Sequence, residues 1–267
     1  MKVDRQKIIE EFGNYTSDYD ISDPKIKLKV DHTYRVASLC ERIAKSIGLE
    51  GMDLDLAWCC GMLHDIGRFE QLRRYNTFMD SQSIDHAQFG VELLFGEERL
   101  IDRFFDNLED EEFFNILHDA IYYHSAYRLP EDMEGRLLMF SDILRDADKV
   151  DIFRVNVETP LEDIYNVTTS ELVESKISDG VMDAIAAEHA VLRDLKHTPI
   201  DNVAGHMALF FELIYPYSME VAREQGYYDK LLNFQSNNFE TNKQIKQIRE
   251  IVNKFYEKSR KKSRQAI

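Results

Sequence analysis

Residues 54–67 read LDLAWCCGMLHDIG: ten residues apolar on nearly every side, then His64, Asp65, Ile66 and Gly67. The apolar run, with Asp53 before it, reads as a buried helix over 53–63. An imidazole and a carboxylate at the end of such a helix are costly unless something satisfies both. A His–Asp hydrogen bond or a helix cap would do that, and is the simpler account of the pair taken alone. A divalent ion would also do it, because imidazole nitrogen and carboxylate oxygen together suit Mn, Fe, Ni, Co, Zn or Mg.

Working outward, helical periodicity dominates. Residues 25–47 place Val36, Leu39, Cys40, Ile43 and Ile47 on one face, and Gly48 stops the helix. Further helices are expected over 84–95 before Gly96, over 111–123, and over 136–154 with Leu137, Phe140, Ile143, Leu144 and Ala147 aligned. Thr159-Pro160 starts another, and 181–195 and 201–215 follow, the latter ended or kinked by Pro216. The apolar segment Val203 to Tyr217 suits a packed core or a homodimer interface equally. Residues 241–262 form a long polar helix with a basic end: Lys258, Arg260, Lys261, Lys262 and Arg264. Positive charge is favoured there by the helix dipole, so that end reads as solvated. Alternating strand patterns are scarce, and 5 Pro and 11 Gly leave room for long helices. The fold class expected is all-α: residues 1–155 as one helical domain and 156–267 as a helical extension packing on it, or the two as one continuous domain.

The chain has 267 residues, 33 Lys and Arg against 49 Asp and Glu, and a formal net charge of −16. A hydrophobic fraction of 44% is too high for a disordered chain. The acidic balance argues against extended nucleic-acid binding, which calls for a basic face. Cys40, Cys59 and Cys60 lie in apolar helical patterns and do not form a disulfide framework, which favours a reducing, cytoplasmic setting. No run of about 18 apolar residues predicts a membrane span. The start, MKVDRQKIIEEF, lacks the apolar core of a signal peptide.

Two further places join the His64-Asp65 pair. His32 lies near the start of the 25–47 helix, and Asp148 lies in the otherwise apolar 136–154 helix. His, then His-Asp, then Asp thus fall on three helices. At these residues the chain resembles the HD-domain metal-dependent phosphohydrolase superfamily. The resemblance rests on His32 with its helix, MLHDIGRFEQ (62–71) and ILRDADKVDIF (143–153), and covers about residues 25–155. It implies an all-α HD-domain helical bundle with a C-terminal helical extension. It also implies that His32, His64, Asp65 and Asp148 ligate a divalent metal ion, Asp65 bridging two ions where a second is present. His86, in a His-x-x-x-Gly segment, and His124, at the end of the 111–123 helix, match residues that hold either that second metal or phosphate. The implied activity is hydrolysis of a nucleotide or another small phosphorylated metabolite by metal-activated water. His118 faces away from His124 on its helix and is not expected in the site.

Phosphate calls for cations. Arg68 follows the His-Asp-Ile-Gly turn and Lys149 follows Asp148, so these two join Asp65 as catalytic candidates. Arg73 and Arg74 are better read as surface ion-pair partners. The segment Tyr75 to Asp80 is expected to loop over the site, with Tyr75 and Phe78 available to stack on a base. The resembled superfamily includes a branch that cleaves cyclic dinucleotides and carries Gly-Tyr-Pro after its paired histidines; none follows His124 here, so the resemblance does not extend to that substrate class. Two other functions fit the same residues: a non-catalytic nucleotide-sensing or binding module that keeps the HD fold, and oxygenase chemistry at a di-iron site.

Overall fold

The computed structural model describes residues 2–265, with side chains through residue 262, so Arg264 of the basic end lies outside the described side chains. The described residues are helices and connections, with no strand, as the periodicity requires. They divide into two compact units, Met1–Asp148 and Lys149–Ile267.

The first unit opens with α1 (Arg5–Thr16), which the sequence reading did not single out; it buries Ile8, Phe12 and Tyr15. α2 (Pro24–Ser46) starts where the Asp23 carboxylate accepts from the Lys25 N–H and Pro24 fills the first turn. α3 (Met52–Leu63) is the apolar run, buried from Leu56 to Leu63. It packs along α2. The approach is close because Gly61 has no side chain: a Cβ there would lie 2.5 Å from Ala37 Cα.

α4 (Ile66–Tyr75) begins directly after Asp65 and takes in Gly67. α5 (His86–Phe95) starts at His86, because the Asp85 side chain caps it by accepting from Ala87 and Gln88. α4 and α5 pack together across Gly67, where a Cβ would lie 2.5 Å from the His86 carbonyl oxygen. A short α6 (Ile101–Phe104) and α7 (Glu111–Tyr123) follow. α8 (Gly135–Glu158) runs one turn beyond its expected end and carries Asp148.

The second unit holds α9 (Leu161–Tyr165), α10 (Thr169–Glu174), α11 (Asp179–Ala186), α12 (Pro199–Ala208), α13 (Pro216–Glu224), α14 (Tyr227–Leu232) and α15 (Phe239–Gln265). Three expectations are corrected here. The helix expected over 181–195 stops after Ala186, because Glu188 adopts a left-handed conformation (φ 60°) and sends its N–H back to Ile185. Ala190 and Val191 are buried from an irregular segment, so apolar spacing alone did not make them helical. The helix expected to reach Tyr215 ends at Ala208 and tightens into a 3₁₀ turn, Leu209–Glu212. Pro216 neither ends nor kinks a helix but opens α13, where its missing N–H leaves no intrahelical bond unmade. From the apolar segment 203–217, Val203, Met207, Phe210, Phe211 and Leu213 are buried, while Ile214 is exposed. Tyr228 is fully buried, stacks on Phe210 and donates its hydroxyl to the Met207 carbonyl at 2.7 Å.

Asp201 ties the irregular segments of this unit to α12. Its carboxylate accepts from Ser178 N and Oγ, His197 N and Thr198 N, all within 2.7–2.9 Å. Burial acts to raise its pKa, but these donors outweigh it and hold the carboxyl below the usual range. A depressed carboxylate stabilises the fold at neutral pH and loses that contribution as pH falls through its folded-state pKa. Asp201→Ala is expected to lower stability at pH 7 by about 3 kcal/mol in urea unfolding. The difference from wild type should shrink below the normal carboxylate range. For the first unit, Gly67→Ala is expected to cost about 2 kcal/mol by overpacking against α5, read as a lower Tm.

Candidate metal centre

The apolar surface of α3 carries its C-cap residue, His64, into the interior of the first unit, fully buried. Asp65 is the next residue and the N-cap position of α4. α2 contributes His32, α5 contributes His86, α7 contributes His124 as its C-cap, and α8 contributes Asp148. The six side chains that the sequence proposed as ligands therefore meet in one place. Arg145 on α8 helps hold it: its Nη1 donates to the carbonyls of Tyr123, His124 and Ala126, which fastens the end of α7.

Asp65 divides the centre. Its Oδ2 lies 3.6 Å from His32 Nε2 and 3.5 Å from His64 Nε2. Asp148 Oδ1 joins that side, 3.1 Å from His32 Nε2 and 3.9 Å from His64 Nε2. The other oxygen, Oδ1, lies 3.4 Å from His86 Nε2 and 3.8 Å from His124 Nε2. Each carboxylate oxygen thus faces its own pair of imidazoles.

The hydrogen bonds decide which ring nitrogens carry protons. His64 Nδ1 lies 2.8 Å from the Gly61 carbonyl and His124 Nδ1 lies 2.7 Å from the Ile121 carbonyl. A carbonyl only accepts, so both Nδ1 atoms donate. His86 Nδ1 lies 2.7 Å from Asp80 Oδ2 and donates in the same way. In the neutral rings all three Nε2 atoms then present lone pairs inward. His86 Nε2 and His124 Nε2 face each other at 3.1 Å, and His64 Nε2 lies 3.3 Å from His32 Nε2. The facing lone pairs of His86 and His124 repel in a buried site unless a cation lies between them.

Charge states agree. Burial lowers His64, and lowers His86 and His124 to about 4, so these imidazoles are neutral at pH 7. Burial acts to raise Asp65, yet Lys29, His64, Arg68 and His86 together hold its carboxyl well below the usual range. Burial likewise acts to raise Asp148, but its hydrogen bond with His32 and the surrounding imidazoles hold it low. Neutral imidazoles and ionised carboxylates are the ligating forms. Ligands about 2.1 Å from one ion at 90–109° lie about 3.0–3.4 Å from each other, close to the separations on both sides of Asp65. Among the described residues, His32, His64 and Asp148 form one group able to hold a metal ion, and His64, Asp65 and His124 another.

Two cations adjoin Asp65. Arg68 was expected; its Nε lies 3.6 Å from Asp65 Oδ1, and its Nη1 donates to Gln71, to the Phe78 carbonyl and to Asp80 Oδ1. Lys29 was not expected; its Nζ lies 2.7 Å from Asp65 Oδ2. Its position, three residues before His32 on the same helix face, is the signal that could have found it. Lys149 is buried and follows Asp148 in α8, but falls in the second unit.

The segment after α4 folds back over this edge. Asn76 turns it with a left-handed conformation, and Gln71 Nε2 donates to Asp80, Ser83 and the Ile84 carbonyl. Asp80, also missed from sequence, thereby joins Arg68 to His86. The Phe78 ring lies 5.5 Å from Lys29 Nζ and 5.8 Å from the Arg68 guanidinium, while Tyr75 is exposed. Arg73 and Arg74 pair with Glu70, and His118 pairs with Asp119.

The match with known families falls on this centre. Residues 30–152 match the family model described as HD domain, a segment that contains all six inward-facing side chains. No curated protein and no solved structure matches the chain. The match over 30–152 is consistent with the resemblance of this segment to the HD-domain metal-dependent phosphohydrolase superfamily.

Asp80→Ala should leave the fold intact but free the His86 ring and its tautomer. Metal affinity is expected to fall about 10–100-fold, measured by competition with a chromogenic chelator.

Proposed function

We propose that this chain is a metal-dependent phosphohydrolase acting on a nucleotide or another small phosphorylated metabolite. The observation that carries this reading is the buried Asp65 carboxylate, with a set of inward-facing imidazoles on each oxygen and a cation beside each. His32, His64, Asp65 and Asp148 would hold one divalent ion; His86, His124 and the other Asp65 oxygen suit a second, or a phosphate. A divalent ion bound there supplies an easily deprotonated water and neutralises charge on a phosphoryl oxygen.

The chain's own residues do the rest. Asp65 orients both halves of the centre. Arg68, held by three acceptors, keeps its Nε toward the centre as a donor for a phosphoryl oxygen. Lys149, next to Asp148, is a further candidate cation. Phe78 lays an aromatic ring beside Lys29 and Arg68, which suits a substrate carrying both a base and a phosphate. Cys40, Cys59 and Cys60 are buried free thiols, which fits a reducing, cytoplasmic setting. Among the described residues, no helix is long and apolar enough to cross a membrane.

Elemental mass spectrometry of wild type and Asp65→Ala, purified without chelator, tests the centre. Wild type should carry one or two equivalents of a divalent metal, and the variant should lose them. With that metal supplied, a panel of nucleotides and sugar phosphates should release phosphate at least about 1,000-fold faster with wild type than with the variant. Nucleotide binding without product in any metal would replace hydrolysis by sensing.

A further inference from the structure

The two cations beside Asp65 are held very differently. The Arg68 guanidinium is fastened by Nη1 to Gln71, Phe78 and Asp80, each at 2.8 Å. Its Nε is buried and has no hydrogen-bond partner among the described residues. Lys29 has none of this bracing. Among the described residues its one hydrogen-bond partner is Asp65 Oδ2, and its side chain remains 17% exposed. Lys29 also stands one residue before the segment that matches the HD domain, so nothing in that match assigns it.

The oxygen that Lys29 holds is the one facing His32 and His64. A divalent ion held by those imidazoles and Asp148 would have this oxygen as a further donor, 3.6 and 3.5 Å from the two Nε2 atoms. An ammonium and a divalent ion on one oxygen repel each other within a few ångströms, in a medium that screens poorly. The ion carries the larger charge and has further donors. The ammonium sits on a flexible four-carbon stem and can move.

We propose that Lys29 is a displaceable counterion: it neutralises Asp65 Oδ2 in the metal-free centre, yields that oxygen to the incoming divalent ion, and then pairs with a phosphoryl oxygen of the substrate. Arg68 is the fixed donor of the pair and Lys29 the mobile one. The Phe78 ring, its centroid 5.5 Å from the ammonium, gives the displaced cation an aromatic face on which to rest. This deepens the phosphohydrolase reading and rests on it.

The test uses the full chain as wild type, Lys29→Met and Lys29→Arg. Mn²⁺ binding is followed by the electron paramagnetic resonance signal of the free ion, and inorganic phosphate binding to the Mn²⁺-loaded protein by calorimetry. Removing the competing charge in Lys29→Met should tighten Mn²⁺ binding about tenfold. The same change should weaken phosphate binding about tenfold, with Lys29→Arg restoring most of it. Unchanged or weaker Mn²⁺ binding in Lys29→Met would overturn the proposal, leaving Lys29 as a prop for Asp65. Unchanged phosphate binding would overturn it equally. If Lys29→Met fails to fold by circular dichroism, Lys29→Gln carries the same two measurements. Wild type that takes up no Mn²⁺ sinks the phosphohydrolase reading together with this one, whereas a failure confined to the variants sinks this one alone.

Discussion

A single buried carboxylate organises the first unit. Asp65 is 2% exposed and ionised, and an isolated charge in such a place is unstable by several kcal/mol. Everything around it answers that charge. Lys29 and Arg68 lie at its two oxygens, and four imidazoles turn their Nε2 atoms toward it. The arrangement also explains the tautomers: each Nδ1 on His64, His86 and His124 is committed to an acceptor outside the centre, so the inward nitrogens are left with lone pairs.

Such a centre works only if its distances are kept, and the scaffold keeps them by contact between backbones. Gly61 lets α3 lie against Ala37 of α2, which sets His64 against His32. Gly67 lets α4 lie against the start of α5, which sets Asp65 against His86. Arg145 ties three carbonyls at the end of α7, where His124 leaves the helix. Helix ends rather than helix middles carry His64, Asp65, His86 and His124. There the chain direction changes, and neighbouring side chains can converge on one point as they cannot along a straight helix.

The second unit obeys the same physics without an equivalent centre among its described residues. Asp201 is its buried carboxylate, but its four donors come from hydroxyl and backbone groups. It is fully satisfied and structural. Asp65, by contrast, is answered by cations and imidazole lone pairs, donor chemistry that suits an ion. Burial is common to both; the chemistry of the neighbours separates them.

The all-α class, most helices of the first unit and the candidate group His32, His64, Asp65 and Asp148 were legible in the sequence, because helical periodicity and the His-Asp turn are local patterns and these residues lie in segments that resemble a known family. His86 and His124 were legible as residues, but only the fold showed both facing the second oxygen of Asp65. Lys29, Asp80, Gln71 and Arg145 were not legible as members of the site: a charged residue on a helix face looks the same whether it meets solvent or a buried carboxylate. The second unit was misjudged at 181–195, 201–215 and Pro216, because apolar spacing marks what is buried and not the backbone that buries it. Sequence alone settled the all-α class and which residue types are present to build the centre. Tertiary structure decided which oxygen meets which imidazole, which nitrogen keeps its proton and which cation is braced by three acceptors, since those depend on contacts between residues far apart in the chain.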